Sequence, residues 1–351
     1  MELDNLLHGK SEWLKGTGPK SDIVISSRIR LARNLEGFPF FNWAKPKEKE
    51  DTLKLVRDAI EKSKFLKKSL FLNIKDLPEI DRQFLVERHL MSPEHVIDLE
   101  YKGLVVEDKE IASIMINEED HIRIQVLQSG FNVIEAWRMS DAIDTDLSKK
   151  IPYAFSTKWG YLTACPTNTG TGLRASVMLH LPALIITNQI GKVFQAISKL
   201  GLTMRGFYGE GTEATGNFFQ ISNQVTLGRS ESDLIDKIGS IVDKLVKREE
   251  STRNILMAKQ KDELADKIWR AYGTLKTARI ITSTETIKLL SFIRLGVDLG
   301  IVSGIDRTGL NELLILTQPA HLQKLENKLL TPDQRDYKRA DLVREKLKGG
   351  T

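Results

Sequence analysis

At 351 residues, with 41% hydrophobic and 28% charged side chains, the chain has the composition of a folded globular protein and room for two domains. Its 52 basic and 47 acidic residues leave a net charge of +5, too small and scattered a surplus to mark a nucleic-acid binder, and equally suited to a small anionic ligand. A single cysteine excludes an intrachain disulfide and fits a reducing cytosol. No apolar run reaches the ~18 residues of a membrane span, and Asp4 and Glu12 break any signal-peptide core, so a cytoplasmic location is expected.

Residues 1–20 read as a short leader ending in Gly16-Thr17-Gly18-Pro19. Ile23-Val24-Ile25 reads as a strand, followed by the basic run from Ser26 to Arg33. Leu53, Val56 and Ile60 share one face of a helix over 47–62, and a second amphipathic helix is expected over 76–89, after Leu70-Phe71-Leu72. Segments 113–117 and 121–127 read as strands. In the second, Ile122, Ile124 and Val126 alternate with His121, Arg123 and Gln125, giving one apolar and one polar face. Helices are expected over 133–147, 174–181 and 190–200, with short strands at 160–163, 203–205 and 218–223. Strands joined by short turns, with irregularly placed helices, favour an α+β fold with a mainly antiparallel sheet.

The texture changes after Ser230. Ser230 with Asp233 forms a capping box, and Leu234, Ile238, Ile241 and Leu245 repeat at helical spacing, so one helix is expected to run past Arg248 toward Tyr272. Thr282 with Glu285 caps another, and Thr331-Pro332-Asp333-Gln334 a third, with proline at the first helical position. The expected division is a leader over 1–20, an α+β domain over 21–255 and an all-helical domain over 256–351. Leu289, Leu290, Leu313 and Leu316 could pack within that last domain or across subunits.

Chemistry concentrates in a few segments. Cys165-Pro-Thr-Asn-Thr-Gly-Thr-Gly-Leu-Arg174 holds the cysteine, two glycines one residue apart and a closing arginine. Ahead of the helix expected at 174–181 it would offer free N–H groups to phosphate and give Cys165 thiolate character. Arg28, Arg30, Arg123, Arg174 and Arg205 each sit at a strand or loop end. Convergent, they would form a cationic cradle for a polyphosphate and a transferring phosphoryl group, with no capacity to act as bases; taken singly, each is as readily a solvated ion pair. Glu118, Glu119 and Asp120 form an acidic turn, and Glu210 and Glu213 lie in a glycine-rich loop. Carboxylates among arginines would suit a guanidinium substrate: one carboxylate positions the group and one takes the proton as nitrogen attacks phosphorus.

Residues 117–123 (Asn-Glu-Glu-Asp-His-Ile-Arg), 165–175 and 205–213 (Arg-Gly-Phe-Tyr-Gly-Glu-Gly-Thr-Glu), in this order and together with Ser27-Arg28-Ile29-Arg30, resemble the signatures of the phosphagen (guanidino) kinases. That family carries a helical N-terminal domain ahead of the Ser-Arg-x-Arg segment, where only a short leader is expected here, and lacks the helical C-terminal domain. The combination resembles the bacterial protein-arginine kinases, over essentially the whole chain. The resemblance implies ATP with Mg²⁺ held through its phosphates and phosphorylation of arginine side chains in proteins. It also implies a role in stress response with marking for Clp proteolysis. By position it implies Glu119, Asp120, Cys165 and Glu210 as catalytic residues, with Cys165 stabilising the guanidinium instead of attacking covalently. It implies ATP contacts from Ser27, Arg28, Ile29, Arg30, Leu31, His89, Arg123, Arg174, Ala175, Ser176, Val177, Met178, Arg205, Gly206, Phe207, Tyr208 and Gly209. Implied partners are a stress-gene repressor among the protein substrates, a zinc-binding activator protein, the Clp chaperone-protease as downstream reader, and a second copy in a homodimer. A kinase for free arginine or another small guanidino compound, and a non-catalytic adaptor, are the alternatives.

At 100° per residue Arg335, Asp336 and Arg339 fall in one arc of the helix capped by Thr331. Two arginines near a helix start with an aspartate would suit phosphoarginine, although the spacing by itself favours a plain i,i+3 ion pair on a solvated face. The resemblance implies that Arg335, Asp336, Arg339 and Ala340 form an allosteric phosphoarginine pocket.

Overall fold

The computed structural model describes residues 3–9, 11–206 and 215–348. In chain order its elements are α1 (Asn5–His8), β1 (Val24–Arg33), α2 (Pro46–Glu61), β2 (Leu70–Asn73), α3 (Glu79–Glu87), β3 (Gly103–Val106), β4 (Ala112–Ile116), β5 (Ile122–Ser129) and α4 (Val133–Ser148). A small hairpin, β6 (Phe155–Ser156) and β7 (Gly160–Tyr161), precedes β8 (Leu173–His180), α5 (Pro182–Ile186), α6 (Ile190–Lys199), β9 (Leu202–Gly206) and β10 (Phe218–Asn223). The rest is helical: α7 (Glu231–Lys259), α8 (Lys261–Thr277), α9 (Ser283–Asp298), α10 (Arg307–Leu316), α11 (Pro319–Leu325) and α12 (Pro332–Lys348).

Eight strands form one antiparallel sheet in the order β2-β3-β4-β5-β1-β8-β10-β9. Because side chains alternate across a strand, the two faces have opposite characters. Ile29 and Leu31, Ile122, Ile124 and Val126, Ala175 and Val177, and Phe219 and Ile221 enter one core with Val133, Ala136, Ile143, Leu234, Ile238 and Val242 from α4 and α7. The intervening residues face the other way. At one end of that second face, Leu127, Met178 and Phe218 pack with Trp13 and apolar residues of α8 to α10. Toward the other end it carries arginines, which face an open cleft.

The segment expected to be helical over 174–181 is strand β8. Its alternation is present, with Ala175, Val177 and Leu179 in one core, but Met178 is buried in the other. A strand dry on both faces reads as a short apolar run and mimics a buried helix. The continuous helix expected toward Tyr272 is two, broken at Gln260 (φ −140°, ψ 37°). Strands β2 and β3, absent from the sequence reading, complete the edge of the sheet. The leader is tied down: Leu6 packs against Phe84 and Leu85, and Trp13 is fully buried. Ser230, Thr282 and Thr331 each accept the expected capping N–H, from Asp233, Glu285 and Gln334.

Candidate active site

The uncovered part of the second face is a cleft of about 820 Å³ lined by Arg28, Arg30, Arg123, Arg174 and Arg205, with Glu119 and Cys165 among the other lining residues. Strand register places these groups. Arg28 and Arg30 are two residues apart on central β1 and so point the same way; Arg30 sits opposite Arg174, and Arg28 opposite Ser176. Ala32 sits opposite Arg123 on the other flank, and Arg205 opposite Gln220. Adjacent strands thereby set the cations side by side.

That crowding is largely uncompensated. Arg123 is paired to Glu118 at 2.7 Å and Glu119 at 3.3 Å, but among the described residues Arg28, Arg30, Arg174 and Arg205 form no ion pair. Arg28 donates to Gln220 Oε1 at 2.7 Å, while the buried Nε atoms of Arg30 and Arg174 have no partner. Burial, with repulsion from Arg174 and Arg123, brings the Arg28 pKa down to about 10. Burial and the neighbouring Arg28, Arg123 and Arg174 take Arg30 well below the ordinary guanidinium value. Buried donors without acceptors amid like charge suit a polyanion, and the residues present fit the triphosphate of ATP.

The acidic turn is built by Asn117, whose positive φ of 59° suits asparagine and whose amide donates to Lys49 O and Tyr101 O at 2.9 and 2.8 Å. Glu119 is part-exposed at the cleft; burial first, then Asp120, raises its pKa, the direction that suits a general base. Asp120 lies behind the cleft wall, fully buried. Its Oδ1 accepts from Asn34 Nδ2 and from Ala164 N, both at 2.7 Å, so it ties the turn to the loop that presents Cys165. Glu118, left out of the sequence-derived site, clamps Arg123 and accepts from Ser92 Oγ at 2.7 Å.

Cys165 precedes only a three-residue 3-10 turn, Pro166–Asn168, and the long element after the loop is the strand β8, not a helix. Its glycines serve close backbone packing instead. Gly172 (φ 61°) lies where a Cβ would meet Ala32 O at 2.6 Å, and Gly170 (φ 112°) where one would meet Thr226 O at 2.6 Å. Arg33 pins the loop from below, with Nη1 donating to Thr171 O at 2.9 Å. Nε and Nη2 bind Asp144 at 2.7–3.2 Å, and the guanidinium stacks 3.5 Å from the Tyr161 ring. Arg33→Ala strands Asp144 in the interior and is expected to cost about 3–5 kcal/mol, measurable as a lowered urea midpoint.

Of the other residues singled out in the sequence, Leu31 and His89 line the cleft, and burial with nearby Arg28 brings the His89 pKa down to about 3. Ser176 and Met178 line a small pocket with Arg28 and His89. Ile29, Ala175 and Val177 face the opposite core. Ser27 points away as well, with Oγ donating to Gly130 O at 2.8 Å. Gly206 ends β9, and Phe207, Tyr208, Gly209 and Glu210 lie outside the described residues. Gln220 and Gln125 also line the cleft; alternation from Arg123 and from Ser222 was the signal that could have found them. No group of three or more metal-ligating side chains occurs among the described residues, and an ion held through phosphates needs none.

Residues 51–252 match the model of the ATP:guanido phosphotransferase C-terminal catalytic domain, and residues 261–350 match that of the protein-arginine kinase McsB C-terminal domain. The chain is 49% identical to a protein-arginine kinase of Halothermothrix orenii over 99% of both chains. It is 46% identical to one of Bacillus subtilis over 96% of this chain and 93% of that one. It belongs to the protein-arginine kinase family. As a phosphotransferase of this family it shares its fold with lombricine kinase, at a TM-score of 0.60 and 26% identity over 71% of each chain. The two family models meet between residues 252 and 261, whereas the boundary expected at 255 falls inside α7. The Ser27–Arg30 segment precedes the first match, so its place in the site rests on the strand register above.

In the C-terminal part, Arg339 is buried. It donates to Thr317 O at 2.8 Å and Ile281 O at 2.9 Å and pairs with Asp336, so it is not on a solvated face. Ala340 is buried beside it. Arg335 instead lines a groove of about 1310 Å³ with Glu87, Lys324 and Leu329.

Proposed function

We propose that the chain transfers the γ-phosphoryl group of ATP to arginine side chains of protein substrates. The observation that carries this reading is one cleft holding four arginines without an ion pair among the described residues beside a carboxylate with a raised pKa, Glu119. The polyphosphate lies across Arg28, Arg30, Arg174 and Arg205. Mg²⁺, bound through the phosphates, would neutralise further charge on them. The substrate guanidinium lies by Glu119 and Cys165, where Glu119 takes the proton from the attacking nitrogen. The N–P bond forms as the bond from the γ-phosphorus to the leaving oxygen of ADP breaks. Arg123, held rigid by Glu118, meets the charge that builds on the transferring group. Glu210, by resemblance, supplies the second carboxylate.

The phosphoarginine product, a role in stress response in the cytoplasm, and delivery of marked proteins to a Clp protease belong to the same proposal. So do a zinc-binding activator, a stress-gene repressor as substrate and a homodimer; they rest on kinship. A phosphoarginine pocket at Arg335, Asp336, Arg339 and Ala340 is part of the same reading, supported by the groove that Arg335 lines and by the Asp336–Arg339 pair one turn along the helix. ³¹P NMR of a basic protein incubated with the enzyme and Mg·ATP is expected to show an acid-labile phosphoramidate. A stable phosphoester, or turnover of free arginine alone, would overturn the reading.

A further inference from the structure

Four large apolar side chains on segments tied to the Cys165 loop are exposed: Phe155 at 59%, Trp159 at 47%, Val225 at 51% and Leu227 at 43%. They come from two segments that the loop itself joins. Tyr161 of the β6–β7 hairpin donates its N–H to Gly170 O at 2.8 Å and packs against Phe155 at 5.3 Å between ring centroids. Leu227 Cα lies 2.8 Å from where a Gly170 Cβ would be. Between Val225 and Leu227, Thr226 Oγ1 donates to Thr167 O at 2.8 Å and Thr169 O at 2.7 Å. The apolar residues therefore sit on one braced scaffold with Cys165, Thr167 and Asn168, which line the cleft.

Large apolar groups exposed on one scaffold beside a polar cleft mark an interaction surface. We propose that this lip is the docking surface for the polypeptide flanking the target arginine, and that it takes apolar side chains of extended, non-native protein segments. This rests on the protein-substrate reading above. The occupant follows from continuity with the cleft: a guanidinium beside Cys165 brings its own main chain to this lip, and residues two to four places along an extended chain lie about 7–14 Å away. A free amino acid places nothing there. A folded surface seldom offers several large apolar groups in so short a span.

The test compares two probes on the full chain. One is reduced, carboxymethylated α-lactalbumin, a permanently unfolded protein, and the other is N-acetyl-arginine amide. Trp159→Ser with Leu227→Ser is expected to lower kcat/KM for the unfolded protein about ten-fold through KM and to leave the small probe unchanged. Phe155→Ser is expected to add to the loss, with an unchanged melting temperature showing that the variants fold. Equal loss on both probes, or none on either, overturns the docking surface. Unchanged KM with a shift in oligomeric state on sizing assigns the lip to a second copy and equally overturns it. A wild-type enzyme that phosphorylates only the small probe overturns the protein-substrate reading, a result distinct from these.

Discussion

Arg30→Met is expected to make the protein more stable and catalytically dead. Arg30 is held well below the ordinary guanidinium value by burial and by Arg28, Arg123 and Arg174, and its Nε has no acceptor. Folding without ligand therefore desolvates a cation that only the nearby charge of Glu118 offsets among the described residues. A methionine of similar length removes that cost, and replacing an ill-paired buried ion by a hydrophobic residue returns about 1–4 kcal/mol, a few degrees in melting temperature. The same change deletes a charge aimed at the phosphates and is expected to lower kcat/KM for ATP about 10³-fold. Calorimetry with and without Mg·ATP checks both halves: the variant melts higher than wild type alone and loses the upward shift that the nucleotide gives wild type. A lower melting point with activity retained would show that Arg30 is structural.

Glu119→Gln is expected to lower kcat about 10²–10⁴-fold with KM for ATP nearly unchanged, because Glu119 faces the acceptor and pairs only with Arg123 on the cationic side. The pH dependence carries the sharper signature. A general base works deprotonated, so activity is present above its pKa and is lost as pH falls through it. Burial and Asp120 raise that pKa, which puts the acid limb of the wild-type rate above the pH of an ordinary glutamate. In the glutamine variant, which cannot titrate, the residual rate is expected to lose that limb. A residual rate that keeps the same limb would assign the proton transfer to another group.

What could be read from the sequence, and what could not, divides along a physical line. The polar-apolar alternation from His121 to Val126 announced β5 and sent Arg123 to the polar face, because Ile122, Ile124 and Val126 all enter one apolar core. Strand β8 concealed itself because Met178 is buried on the face that also carries Arg174. Asp120 entered the expected site by resemblance, as the neighbour of Glu119, yet its side chain is buried behind the cleft. Its partners Asn34 and Ala164 are distant in sequence, and no local pattern records them. Glu118 was passed over for a related reason: its value appears only when Arg123 folds back across the hairpin. Motif order named the chemistry. Register, invisible in one dimension, set the arginines shoulder to shoulder.

Helix α7 carries a mechanical consequence. Its first half, from Leu234 to Val246, is embedded under the sheet, while Leu256 near its end is embedded among the C-terminal helices. Between them Glu249 accepts from Ala183 N and Leu184 N at 3.0 and 3.1 Å and pairs with Arg253 at 3.0 Å; Arg253 in turn reaches Asp298 of α9. The junction is thus a stiff rod clamped in two bodies, with no slack linker to absorb displacement. A torque applied to the C-terminal helices arrives beneath the arginine strands as rotation of that rod.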